Sequence, residues 1–234
     1  TLFMLVTVVI VARGLKRGFE LATKFLMPVL FAILLFLVGH AVIVGDFASS
    51  IGYLFEPDFS RLTSKTILLA MGQAFFSLSI GMGAIMAYGS YLPSGISAGK
   101  CAFSIAVADT AGALLAGFAI FPIVFAYGLE PAQGPGLVFV TLNVGFSEMA
   151  NGRFFGSVFF LLLTIAAWTS SISLIEPGIA WLSEVTEMSR KCASVVLGSI
   201  IWLVGLGSVF SFNLLSELKL VGMNFFEIVE FVST

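Results

Sequence analysis

Three polar interruptions of otherwise apolar runs could do chemistry in this chain. The first lies in Gln73 to Tyr91, QAFFSLSIGMGAIMAYGSY, whose middle reads Ser77-Leu78-Ser79-Ile80-Gly81-Met82-Gly83. Glycine gives the backbone freedom that a helix must remove, and serine offers it competing hydrogen bonds. One reading is a helix broken at membrane depth, with Gly81 and Gly83 in the turn. Such a break is tolerated only where protein buries it or it lines a polar cavity, so it would mark a site. The other reading is close helix packing through small residues. The second interruption is Asp109. A carboxylate deep in an apolar span is costly, and such groups usually face a bundle interior and serve ions, protons or substrate. A carboxyl group merely hydrogen-bonded to a neighbouring helix is the structural alternative. The third is Ala166, Thr169, Ser170 and Ser173 at i, i+3, i+4 and i+7, with Glu176 three further on, which makes one helical face small and polar. Hydroxyls and carbonyls are hard oxygen ligands of the kind alkali cations accept, and the same stripe can also serve as packing glue between helices.

The elements that must position these groups are membrane spans. Of 234 residues, 59% are hydrophobic and 10% charged, and mean hydropathy is +1.10, against roughly 25% charged in an ordinary soluble domain. The pattern predicts one all-α transmembrane domain over 1–234, with spans at about 1–12 (partial), 25–44, 66–91 (broken), 101–128, 154–182, 192–212 and 225–234 (partial). The ends fall inside apolar runs, so the sequence reads as an excerpt of a longer chain. Residues 136–144 are too apolar for a free loop and are expected to fold back as a short helical hairpin. At about 1.5 Å of rise per residue, Gly81 lies roughly 15 Å from Tyr91 and Asp109 roughly 12 Å from Cys101. Both then sit with Thr169 to Ser171 near the midplane of a core about 30 Å thick.

Charge sets orientation and excludes partners. Arg13, Lys16, Arg17, Lys24, Lys100, Arg190 and Lys191 fall on loops 13–24, 92–100 and 183–191, whereas the longer opposite connectors carry Arg61, Lys65, Arg153 and Lys219. The positive-inside rule makes the first set cytoplasmic. A net charge of −2 without a basic run argues against nucleic acid as a partner. One His and two distant Cys, Cys101 and Cys192, cannot assemble a metal cluster or a nucleophile with its base. No enzyme and no cofactor are therefore expected. His40 reads as an interfacial residue, and Trp168, Trp181 and Trp202 as packing or interfacial anchors.

The series Pro57-Asp58-Phe59, GQAFFSLSIGMGAIMAYGSY from Gly72, ADTAGALLAGFAIFP from Ala108, AAWTSSISLIEP from Ala166 and SRK from Ser189 resembles the neurotransmitter:sodium symporter family. It covers the stretch similar to that family's transmembrane helices from late four to early ten. The resemblance implies the leucine-transporter fold, a five-plus-five inverted repeat, incomplete here. It also implies sodium-coupled symport of an amino acid or related small amine by alternating access, with sodium as the coupling ion and a multi-pass location, expected to be a bacterial inner (plasma) membrane. Position by position, it gives Ser77 and Asp109 to a first sodium ion, and Ala166, Thr169 and Ser170 to a second. Phe76, Ser79, Met82, Ser170 and Leu174 match the substrate-pocket wall, with Phe76 as its aromatic lid. Gln73 and Glu227 match the outer gate. Ala113 stands where chloride-dependent members place a serine, and Asp109 one turn away could supply that negative charge, so chloride independence is expected. The alternative is a proton-coupled carrier or ion channel in which Asp109 titrates.

Overall fold

Several helices in this chain start where a short polar side chain takes up free amides. Asp46 accepts from the Ser49 amide (3.1 Å), Ser97 from that of Lys100 (3.5 Å) and Ser189 from that of Cys192 (3.4 Å). Thr63 and Thr66 cap each other's amides at 3.2 and 3.3 Å. The computed structural model describes residues 1–14, 18, 20–81, 83–90, 95–131, 136–215, 219 and 223–233. Its helices are α1 (Leu2–Ala12), α2 (Glu20–Val44), α3 (Phe47–Phe55), α4 (Ser64–Ser77), α5 (Ala84–Ser90) and α6 (Ala98–Ala126). A π turn at Leu137–Thr141 then runs into α7 (Leu142–Glu148), followed by α8 (Gly152–Thr186), α9 (Arg190–Phe210) and α10 (Phe225–Ser233). The chain is all-α, and α2, α6, α8 and α9 are long and apolar enough to cross a membrane. The helix expected at about 66–91 is discontinuous, since α4 stops at Ser77 and α5 resumes at Ala84. The apolar connector near 136–144 forms the π turn and α7 as one continuous helical segment rather than a hairpin.

Two compact units make up the chain, Thr23–Thr169 and the pair of segments Thr1–Ala22 and Ser170–Thr234. The unit of residues 23–169 is built on a core of Leu34, Leu37 and Ala41 from α2, Ala119, Ile123 and Val124 from α6, Leu142 and Phe146 from α7, and Phe159 and Leu162 from α8. Beside this core the half-buried His40 stacks its ring on Phe155 at a centroid distance of 3.4 Å.

In the other unit, a charge does the tying. Glu176 is 1% exposed within α8, and Arg190, the first residue of α9, donates to it through a terminal guanidinium nitrogen. The Nε of Arg190 donates to the Val11 carbonyl near the end of α1 (3.0 Å). One guanidinium thus holds α1, α8 and α9 together, in the planar fork geometry that suits arginine and not lysine. Buried hydroxyls in this unit bond to backbone one turn back: Thr7 to the Phe3 carbonyl (2.9 Å) and Ser194 to that of Arg190 (2.7 Å).

Removing one partner of a buried pair strands the other charge, so Arg190→Ala should destabilise the full-length protein in detergent by about 3 kcal/mol. Combining it with Glu176→Met should recover most of that loss, and a double variant as unstable as the single one would contradict the account. A second prediction concerns Asp46, whose carboxyl is held below its ordinary value first by the Ser49 hydroxyl and then by the Ser49 amide. A depressed folded pKa stabilises above the unfolded pKa and is lost as pH falls through the folded one. The melting-temperature gap between the wild type and Asp46→Ala should therefore be full at neutral pH and shrink as pH falls through and below the usual carboxylate range.

Candidate functional site

The end of α4 is a Schellman motif built on an unusual residue. The Ile80 amide donates to the Phe75 carbonyl and the Ser79 amide to that of Phe76, both at 3.0 Å, while the Leu78 amide reaches Ala74 at 3.1 Å. The motif needs a left-handed residue after the cap, a place usually taken by glycine. Here it is Ser79, with φ 54°, and a second left-handed residue, Gly83 with φ 74°, precedes α5. Gly81 lies inside the break, but the left-handed turns are made by Ser79 and Gly83. Sequence reasoning drew attention to the glycines, and the position of the serine became legible only with the hydrogen bonds.

Those bonds use the carbonyls of Phe75 and Phe76. Among the described residues, the carbonyls of Ser77 and Leu78 accept none. They stand at the negative end of the α4 dipole, a setting that favours a cation. The Ser77 hydroxyl donates to Asp109 Oδ2 at 2.9 Å, bridging the end of α4 to the half-buried carboxylate of α6. Hydroxyl, carboxylate and terminal carbonyls together form a set of hard oxygen donors, the ligand type for an alkali cation rather than a transition metal. Gln73, Phe76 and Ser77 share one face of α4 by their three- and four-residue spacing. All three are exposed, Phe76 by 58%. Met82, read from the sequence as part of the pocket wall, lies outside the described residues.

On α8 the Thr169 hydroxyl donates to the Ala166 carbonyl at 2.9 Å, and Thr169 is only 4% exposed. Ser170 and Leu174 lie one turn apart on an adjacent, exposed face of the same helix. Ala166 and Thr169 belong to the unit of residues 23–169, whereas Ser170 and Leu174 belong to the other. Glu227 is engaged at the start of α10: its Oε2 accepts from the Asn224 amide (2.8 Å), and Asn224 Oδ1 accepts from the Glu227 amide (2.9 Å). This is a reciprocal capping box. The Glu176 and Arg190 pair was not anticipated from sequence, although a glutamate next to Pro177 in an apolar span signals a charge that must find a partner.

A family model for the sodium:neurotransmitter symporter family matches residues 1–228. The chain belongs to that family. It is 37% identical over 229 residues to an uncharacterized sodium-dependent transporter of Bacillus subtilis, YhdH, covering 98% of this chain and 51% of the relative. It is also 37% identical over 233 residues to an uncharacterized sodium-dependent transporter of Haemophilus influenzae, covering 99% and 51%. Among solved structures it is similar to MhsT crystallised with L-phenylalanine, with a TM-score of 0.85, 43% identity, and coverage of 99% of this chain and 53% of that one. The chain therefore spans about half the length of the relatives it matches, and it has the leucine-transporter fold of an integral, multi-pass membrane protein.

The left-handed serine yields a test. Glycine adopts that conformation freely but loses more entropy on folding, so Ser79→Gly should stabilise the full-length protein by about 1 kcal/mol or less. A β-branched residue there meets the full steric penalty, and Ser79→Val should destabilise by about 1–3 kcal/mol. Thermal unfolding in detergent gives both, and equal effects of Gly and Val would refute the geometry.

Proposed function

We propose that the full-length protein is a sodium-coupled symporter of an amino acid or related small amine, working by alternating access. The observation that carries this reading is the 2.9 Å bond between Ser77, at the broken end of α4, and Asp109 of α6. It brings together two of the five residues assigned to sodium, next to two terminal carbonyls without a described partner. In this reading Ser77 and Asp109 hold one sodium ion, and Ala166, Thr169 and Ser170 hold a second. Sodium binds the outward-facing, substrate-competent state better than the alternative state, and its gradient gives transport direction.

The remaining assignments belong to the same proposal. Phe76, Ser79 and Met82 contact the substrate from the broken helix, and Ser170 and Leu174 keep the substrate roles that the resemblance implies. Gln73 and Glu227 are gate residues. The L-phenylalanine bound to MhsT, together with the apolar side chains of Phe76, Met82 and Leu174, supports a hydrophobic amino acid as substrate. Asp109 and Ala113 are four residues apart on α6, and a carboxylate one turn from the position that the resemblance gives to a chloride-binding serine supports transport without chloride, the Asp109 charge serving in place of the anion. The Lys and Arg excess on loops 13–24, 92–100 and 183–191 supports a cytoplasmic side for them in a bacterial plasma membrane.

Uptake by the full-length protein in proteoliposomes tests the reading. Uptake of an apolar amino acid should require an inward sodium gradient and should persist when chloride is replaced by gluconate. Asp109→Asn keeps an oxygen ligand but removes the charge, and should weaken apparent sodium affinity about tenfold, or about 1.4 kcal/mol. Uptake that follows a proton gradient without sodium would replace this reading with the proton-coupled one.

A further inference from the structure

Helix α6 carries Pro122 in its interior. Proline has no amide to give the carbonyl four residues back, and its ring crowds that carbonyl, so the turn from Phe118 to Pro122 is the weak point of the helix. The short outer helix α3 lies across that same turn. The amide of Asp46, just before α3, donates to the Pro122 carbonyl at 2.9 Å. The approach there is close enough to require glycine at position 45, where a Cβ would stand 2.5 Å from the Pro122 Cβ.

Side chains of α3 then bracket the proline. On one side, Phe47 and Phe55 rest against Phe118, with ring centroids 5.3 and 6.0 Å apart, and Leu54 Cδ1 comes within 3.4 Å of where a Cβ of Gly117 would lie. On the other, Tyr53 packs on Phe121 at 4.8 Å and on Phe125 at 5.4 Å. Helix α3 is itself pinned, because Asp46 caps it and the fully buried Ser50 donates to the Asp46 carbonyl at 2.8 Å.

We propose that α3 is a splint across the proline-weakened turn of α6, fixing the angle between the outer end of that helix and the inner part that carries Asp109. Asp109 lies thirteen residues from Pro122, or roughly 20 Å along the axis. A bend of about 10° at the proline would shift it by about 3 Å, more than a coordination sphere tolerates. The packing of α3 therefore acts as a positioning device for Asp109, setting where its carboxylate meets Ser77. The sodium part of this inference rests on the proposed function, whereas the splint itself does not.

A double-mutant cycle in the full-length protein tests both parts. With Cys101 and Cys192 replaced, spin labels at the exposed positions Phe103 and Ala126 read the bend of α6 directly. The wild type should give one narrow distance, and Tyr53→Ala a broad one. Tyr53→Ala combined with Pro122→Ala, which restores the missing amide, should be narrow again. Apparent sodium affinity should fall about tenfold in Tyr53→Ala, recover to within about twofold in the double variant, and stay unchanged in Tyr53→Phe, which keeps the ring. An unchanged distance in Tyr53→Ala, or one as broad with Pro122→Ala as without it, overturns the splint. A broadened distance with unaltered sodium affinity overturns the positioning role. If Pro122→Ala does not fold, Phe47→Ala and Tyr53→Phe decide, with broadening expected in the first and not in the second. A wild type that binds no sodium overturns the functional reading, while the label distances still decide the splint.

Discussion

A peptide group left without a partner in hydrocarbon costs several kcal/mol, so a chain that stops being helical inside a membrane must say where each amide and carbonyl goes. The end of α4 gives nearly all of that answer. Its last amides fold back onto Ala74, Phe75 and Phe76, its last hydroxyl turns to Asp109, and the carbonyls of Ser77 and Leu78 have no partner among the described residues, where the proposed sodium ion would sit. The constraint explains why polar residues cluster here in an otherwise apolar run. It also explains why the strained conformation falls on Ser79, since the Schellman bonds fix a left-handed residue at that position whatever its side chain.

Buried charge obeys the same accounting. Asp109 meets a hydroxyl, Glu176 meets a guanidinium, and each pair joins elements distant in sequence. The two differ in the freedom they leave. The Asp109 carboxylate is half-buried and, among the described residues, is met by one hydroxyl only, which fits the exchangeable ion of the proposed function. Glu176 is closed in by a cation that also clamps the end of α1, which suits a fixture. Helix α3 shows a third solution, in which aromatic packing and one amide support a turn that proline has weakened.

Much of the fold was legible because membrane spans are written in composition and helix starts in short polar residues. Asp46 with Ser49, and Asn224 with Glu227, carry the N-cap spacing openly. The Ser77 and Asp109 pair was reachable from sequence, since both interrupt apolar runs at one estimated depth. The resemblance assigns Glu227 to the outer gate, and that assignment says nothing of the cap it makes with Asn224. Arg190 was counted as a loop charge that sets orientation, and no local pattern links it to Glu176, since their pairing crosses the turn from α8 to α9. The bracing of Pro122 was likewise hidden: α3 has an apolar face, but a sequence does not say which turn of which helix will receive it.

The clamp at Arg190 has a consequence for how the chain is made. Its bond to the Val11 carbonyl closes a separation of 179 residues, and its pair with Glu176 closes one of 14. During synthesis Glu176 emerges first, and at about 5–20 residues per second its partner follows about one to three seconds later. For that interval Glu176 lacks its guanidinium partner, and the apolar residues around it must carry α8 into the bilayer. The end of α1 waits much longer for its fastening. The fastening of α1 to α8 is thus set by the arrival of one arginine, late in the synthesis of a unit whose first segment is made at the start of the chain.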